Sequence, residues 1–120
     1  MSRILIVDDE QQIRNVLGHY LQLHGHAVMT AADAAAALDA AEQGPDWDLI
    51  ITDVMMPGID GLELARIVRL RWPATKVVLM SGCVQNPGAA DLPDFPFLPK
   101  PFTAHEFRRL IDSILAAPQG

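Results

Sequence analysis

Short, continuously apolar runs alternate along this chain with stretches in which apolar positions recur every three or four residues. Residues 4–7 (Ile4-Leu5-Ile6-Val7) form an unbroken, β-branched-rich run, as a strand covered on both faces requires. Ile13, Val16, Leu17, Tyr20 and Leu21 then fall on one face of a helix, with Gly25 as its terminator. Residues 27–31 read as a second strand. Residues 33–43 read as a second helix, capped by Asp33 and stopped by Gly44-Pro45. Leu49-Ile50-Ile51 is a third buried strand. Asp60-Gly61-Leu62-Glu63 is a capping box opening a third helix that ends before Pro73, and residues 76–80 are a fourth strand.

The pattern changes after Ser81. Gly82, Pro87, Gly88, Pro93, Pro96 and Pro99 exclude a long helix there, and Asn86-Pro87 suits at most a single capped turn. Residues 95–98 read as a weak fifth strand whose flanking prolines suit a sheet edge. Thr103-Ala104-His105-Glu106 forms a second capping box, followed by a helical face of Phe107, Leu110, Ile111, Ile114 and Leu115. The sum is a strand–helix unit repeated five times. It predicts an α/β fold, a doubly wound parallel sheet of five strands with right-handed crossovers, in which the fourth helix, between the fourth and fifth strands, is short or missing. Ligands in such a sheet bind beyond the carboxyl ends of the strands.

Composition narrows the function. The chain has 120 residues, which predicts one domain over residues 1–120, and half of them are hydrophobic, enough for a packed core. A formal net charge of −6 argues against nucleic-acid binding by this domain. The single cysteine, Cys83, forms no intramolecular disulfide, the apolar start meets Asp8-Asp9 too soon for a signal peptide, and no apolar run is long enough to span a membrane. A cytoplasmic protein with no membrane partner is expected.

The chemistry gathers at strand ends. Asp8 and Asp9 follow the first strand, Asp53 the third, Ser81 the fourth and Lys100 the fifth. Each has a plainer reading: Asp8-Asp9 as a helix cap, Asp53 and Ser81-Gly82 as turn residues, Lys100 as a solvated surface lysine. Their joint placement on one sheet edge favours a site. Three converging carboxylates repel one another, and a hard cation such as Mg²⁺ relieves that repulsion. An anionic nucleophile, a metal, a lysine and a hydroxyl together suit phosphoryl transfer.

Four segments carry a resemblance: residues 4–10 (ILIVDDE), residues 48–61 (DLIITDVMMPGIDG), Met80-Ser81-Gly82 and Lys100-Pro101-Phe102. Over nearly its whole length the chain resembles the receiver domains of two-component response regulators. The resemblance implies the flavodoxin-like strand order 2-1-3-4-5. It also implies that Asp53 accepts phosphoryl from a histidine kinase or histidine phosphotransfer protein. Asp9, Asp53 and the Met55 backbone carbonyl would ligate Mg²⁺ (or Mn²⁺), with Asp8 partly through water. Lys100 would pair with the phosphate, Ser81 would bond it in the active state, Phe97 would be the aromatic switch, and Lys100-Pro101 would be cis. Such a domain is a phosphoacceptor acting on an unknown downstream protein rather than an enzyme.

The chain departs from the pattern in two places. The segment between Ser81 and Lys100 is short and proline-rich, and phenylalanine stands at the switch position in place of the commoner tyrosine. Residues 97–102 are similar to receivers attached to hybrid sensor kinases. Met55 and Cys83, two residues beyond Asp53 and Ser81, stand where the family lines the phosphate approach. Two other functions compete. A haloacid-dehalogenase-type phosphatase shares the aspartate nucleophile but usually has an acid where Met55 stands. A phosphorylation-independent interaction module with a receiver fold would leave the acidic set unused.

Overall fold

The computed structural model describes residues 2–44, 46–56, 58–81 and 95–116. Five strands are present among the described residues: β1 (Arg3–Val7), β2 (Ala27–Ala31), β3 (Leu49–Asp53), β4 (Lys76–Ser81) and β5 (Phe97–Pro99). They form one parallel sheet in the order β2-β1-β3-β4-β5, the order that the resemblance implied. Four helices are described: α1 (Gln11–Leu23), α2 (Ala34–Gln43), α3 (Gly61–Arg71) and α4 (Ala104–Ala116).

The continuous apolar runs are explained by coverage of both sheet faces. Because side chains alternate along a strand, Ile4, Ile6, Leu49, Ile51, Val78, Met80 and Leu98 point to one side. There they pack with Leu17 and Leu21 of α1 and Phe107, Ile111 and Ile114 of α4. Leu5, Val7, Ile50, Val77 and Leu79 point to the other side, against Ala34, Ala37 and Ala41 of α2 and Leu64, Ala65 and Val68 of α3. Each fully buried Ile or Leu contributes about 1.5–3 kcal/mol relative to exposure, so both layers are needed to hold the sheet.

The caps set the helix starts. Asp33 Oδ1 accepts from the Ala36 N–H at 2.8 Å, and Asp60 Oδ1 from the Glu63 N–H at 2.9 Å. Thr103 and Glu106 exchange reciprocal bonds, both 3.0 Å. α1 is different: its N-cap is Glu10, which makes no side-chain cap bond, so Asp8-Asp9 is not the cap of this helix. Gly25 closes α1 with a φ of +87°, a region that glycine enters without strain.

Two expectations are corrected. The periodicity puts Val16 on the buried face of α1, but it is 61% exposed, because α1 meets the sheet through a narrower stripe centred on Leu17 and Leu21. The fifth strand begins at Phe97 rather than residue 95; Phe95 is buried beneath the Arg69 guanidinium, 4.0 Å from the ring centroid, before the chain enters the sheet. The fourth helix expected to be short or missing, with the Asn86-Pro87 turn and Cys83, lies outside the described residues.

Candidate functional site

Register brings the site together. Val7 pairs with Thr52, Asp53 with Met80, and Ser81 with Pro99, so the carboxyl ends of four strands finish nearly level. The residues at or just beyond those ends are Asp8, Asp9, Asp53, Ser81 and Lys100. Asp8 is fully buried, Asp53 is 6% exposed and Ser81 is 2% exposed, whereas Asp9 is open to solvent.

The three aspartates each offer a carboxylate oxygen to one spot, with those oxygens within 4.8 Å of one another. Lys100 enters from the end of the edge strand β5. Its Nζ stands 3.0 Å from Asp8 Oδ2 and 3.6 Å from Asp53 Oδ2. The Lys100-Pro101 bond is cis, as the resemblance implied. The Lys100 N–H also donates to the Ser81 carbonyl at 2.8 Å, which ties the lysine to the end of β4.

Asp53 carries a raised pKa. Burial is the main cause, Lys100 opposes it, and Asp8 adds to it by repulsion. Burial tends to lower the Lys100 pKa, but its hydrogen bond to Asp8 and the charges of Asp53, Asp8 and Glu10 outweigh this and raise it. Three carboxylates against one ammonium leave the cluster negative. An all-oxygen, negatively charged and partly open donor set fits a hard divalent cation that keeps waters.

Several supporting groups were not legible as such in the sequence. The Glu10 N–H donates to Asp8 Oδ1 at 2.9 Å, and Arg14 Nη1 donates to the Asp8 carbonyl at 2.7 Å, so Asp8 is held at both ends. Thr52, fully buried, donates through its hydroxyl to the Asp53 carbonyl at 3.0 Å. In the sequence Gly61 belongs to a capping box and closes the 48–61 segment of resemblance, with no role of its own. A Cβ there would overlap the Asp53 backbone carbonyl, so glycine is what lets α3 begin against the site. That demand is tertiary, and nothing local in the sequence signals it.

The remaining expected site residues are placed less tightly. Met55 is 61% exposed, and its N–H reaches Asp53 Oδ1 at a long 3.4 Å. Phe97 opens β5, opposite Leu79, and packs half-buried against the α2–α3 side of the core.

No helix among the described residues is long and apolar enough to cross a membrane. The chain matches the family model for the response regulator receiver domain over residues 4–112. It is similar to the sensor kinase CckA of Brucella abortus, with 34% identity over 118 residues, 95% of this chain and 12% of that protein. It is also similar to the transcriptional regulatory protein TcrA of Mycobacterium tuberculosis, 40% identical over 116 residues, 90% of this chain and 44% of that protein. The chain thus spans less than half the length of these relatives. Among solved structures, response regulator TrrA of Thermotoga maritima, in complex with Mg²⁺-BeF, aligns at a TM-score of 0.84 with 33% identity, covering 95% of this chain and 99% of that one. The receiver domain of the hybrid histidine kinase CckA aligns at 0.78 with 35% identity, covering 94% of this chain and 98% of that one. With its strand order, its converging aspartates and a family match over nearly the whole length, the chain belongs to the response regulator receiver domain family.

Proposed function

We propose that this domain is a phosphoacceptor, and that Asp53 takes a phosphoryl group from the phosphohistidine of a histidine kinase or phosphotransfer protein. The observation that carries this reading is the Asp53 carboxylate, nearly buried at a strand end, beside Asp8 and Asp9 and within 3.6 Å of Lys100. In the transfer, an Asp53 oxygen attacks phosphorus as the phosphorus–nitrogen bond breaks. The leaving imidazole keeps the bonding pair and takes a proton from solvent. The product is an acyl phosphate on Asp53, and the domain is modified once rather than turning over as an enzyme.

Asp9, Asp53 and the Met55 backbone carbonyl would hold Mg²⁺ (or Mn²⁺), with Asp8 partly through water. When bound, the cation screens the charge on the transferring phosphate oxygens. Lys100 shifts between partners in this scheme: it leaves the Asp8–Asp53 pair to meet a phosphate oxygen. Asp8, fully buried and 3.0 Å from the Lys100 ammonium, keeps that lysine beside the Asp53 nucleophile.

The new charge is read locally. Ser81 closes β4 at the same sheet edge, and Phe97 opens the neighbouring strand only three residues before Lys100. A hydroxyl turning to the phosphate leaves space that an aromatic ring then fills, a two-state element biased by one charge change. The signal would pass to a protein partner in the cytoplasm, not to nucleic acid through this domain.

The test is titration with Mg²⁺ and beryllofluoride, followed by amide NMR. Chemical-shift changes centred on Asp53, Ser81 and Lys100, absent in Asp53→Asn, are expected. An unchanged wild-type spectrum would refute the reading. Partner binding that is indifferent to Asp53→Ala would favour the interaction module instead.

A further inference from the structure

The two edges of the sheet are built differently. β5 ends in Pro99, which has no N–H to offer a neighbour, and Pro96 lies just before it. β2, the opposite edge, reads Ala-Val-Met-Thr-Ala, with no charge, proline or glycine to discourage pairing. The Ala27 N–H donates to the Ser2 carbonyl, and the Ala31 carbonyl accepts from the Asp8 N–H. Since alternate residues of a parallel ladder face opposite ways, Val28 and Thr30 turn their backbone groups to the open side.

A groove of about 310 Å³ runs beside this edge, between β2 and α1. Its floor is Gly18, in the middle of the helix. A Cβ at Gly18 would meet Val28 Cγ1 at 3.6 Å and Thr30 Cγ2 at 3.9 Å, which is ordinary contact. Packing therefore does not require glycine there, although glycine inside a helix costs about 1 kcal/mol relative to alanine. What glycine does is keep the groove deep. The charged and titratable lining is Arg14 and His19, and no carboxylate lines it, in a chain whose net charge is −6.

We propose that the β2 edge and its groove take an extended acidic segment of a partner protein, added as a sixth strand. Main-chain bonds from Val28 and Thr30 hold the segment, and a carboxylate enters the groove beside Arg14 and His19. A second copy is the poorer occupant. The β2 edge of a second copy, Ala-Val-Met-Thr-Ala, brings no carboxylate to set beside Arg14. Arg14 also holds the Asp8 carbonyl at 2.7 Å, so an occupied groove touches the acidic site through one side chain.

The probe is a capped peptide of alternating threonine and glutamate, compared with its lysine counterpart. Hydrogen exchange and fluorescence anisotropy are measured on the intact chain. The acidic peptide should bind about tenfold more tightly than the basic one and slow exchange at the Val28 and Thr30 amides. Thr30→Pro, which removes an outward N–H, and Gly18→Met, which fills the floor, should each abolish binding. His19→Glu should lower affinity for the acidic peptide and raise it for the basic one. Equal binding of both peptides, no binding of either, or unchanged binding by Gly18→Met would overturn the proposal. So would protection of Val28 and Thr30 by self-association without peptide, which would assign the edge to a second copy.

Discussion

Replacing Lys100 with methionine keeps most of the side-chain volume and removes the ammonium that faces Asp8 and Asp53. Asp8 is fully buried, and its Oδ2 then has no cation at 3.0 Å. At an effective dielectric near 20, a unit pair at that distance attracts by about 5–6 kcal/mol. The attraction is offset by the desolvation of an ammonium whose side chain is 18% exposed. Removing one member of a buried pair typically costs 3–5 kcal/mol, and the partial exposure places this pair at the lower end. We expect Lys100→Met to destabilise the metal-free domain by about 3 kcal/mol at neutral pH. Urea unfolding monitored by far-ultraviolet circular dichroism measures it, with the slope unchanged and the midpoint lowered. In an Asp8→Asn background the same change should cost far less, since the orphaned charge is gone. Saturating Mg²⁺ should recover part of the loss, because the cation stabilises the folded state and replaces the missing positive charge. A loss below about 1 kcal/mol, or an equal loss in the Asp8→Asn background, would refute the claim that Lys100 holds the acidic pair together.

Other consequences are as specific. Gly61→Ala forces a Cβ into the Asp53 carbonyl and should cost about 1–3 kcal/mol by calorimetry or denaturant titration; a neutral result would contradict the close approach of α3. Asp53 has a raised pKa in the fold, so the folded state binds its proton more tightly than the unfolded chain does. Its ionisation therefore lowers stability as pH rises past the unfolded value, and Asp53→Asn should stabilise the metal-free domain at pH 7 but not at pH 3, as thermal melts would reveal. Asp9→Asn should weaken Mg²⁺ binding at least tenfold in calorimetric titration while leaving the melting temperature nearly unchanged, because Asp9 is exposed.

Much of this fold was legible because its strands are buried on both faces. Ile4 to Val7 and Leu49 to Ile51 read as unbroken apolar runs for the same reason that they lie between two helical layers. Local bonds were legible too: Asp33, Asp60 and Thr103 cap the helices they were assigned. The strand order was not contained in those patterns; it came with the family resemblance. Val16 misled because periodicity marks a helical face but not how wide a stripe the sheet covers. At the site, the convergence of Asp8, Asp9, Asp53 and Lys100 followed from counting residues past strand ends. The parts that support them did not. Arg14 reaching back to the Asp8 carbonyl and Gly61 lying against Asp53 depend on how α1 and α3 leave the sheet, which no short stretch of sequence encodes.

The central claim is that Asp53 is the phosphorylated residue. It is tested most directly by incubating the domain with Mg²⁺ and acetyl phosphate and recording the intact mass promptly at low temperature. One added phosphoryl group is predicted, not formed when Mg²⁺ is chelated before the phosphodonor is added and absent from Asp53→Asn. Failure of the wild-type domain to gain mass, or an equal gain in Asp53→Asn, would contradict it.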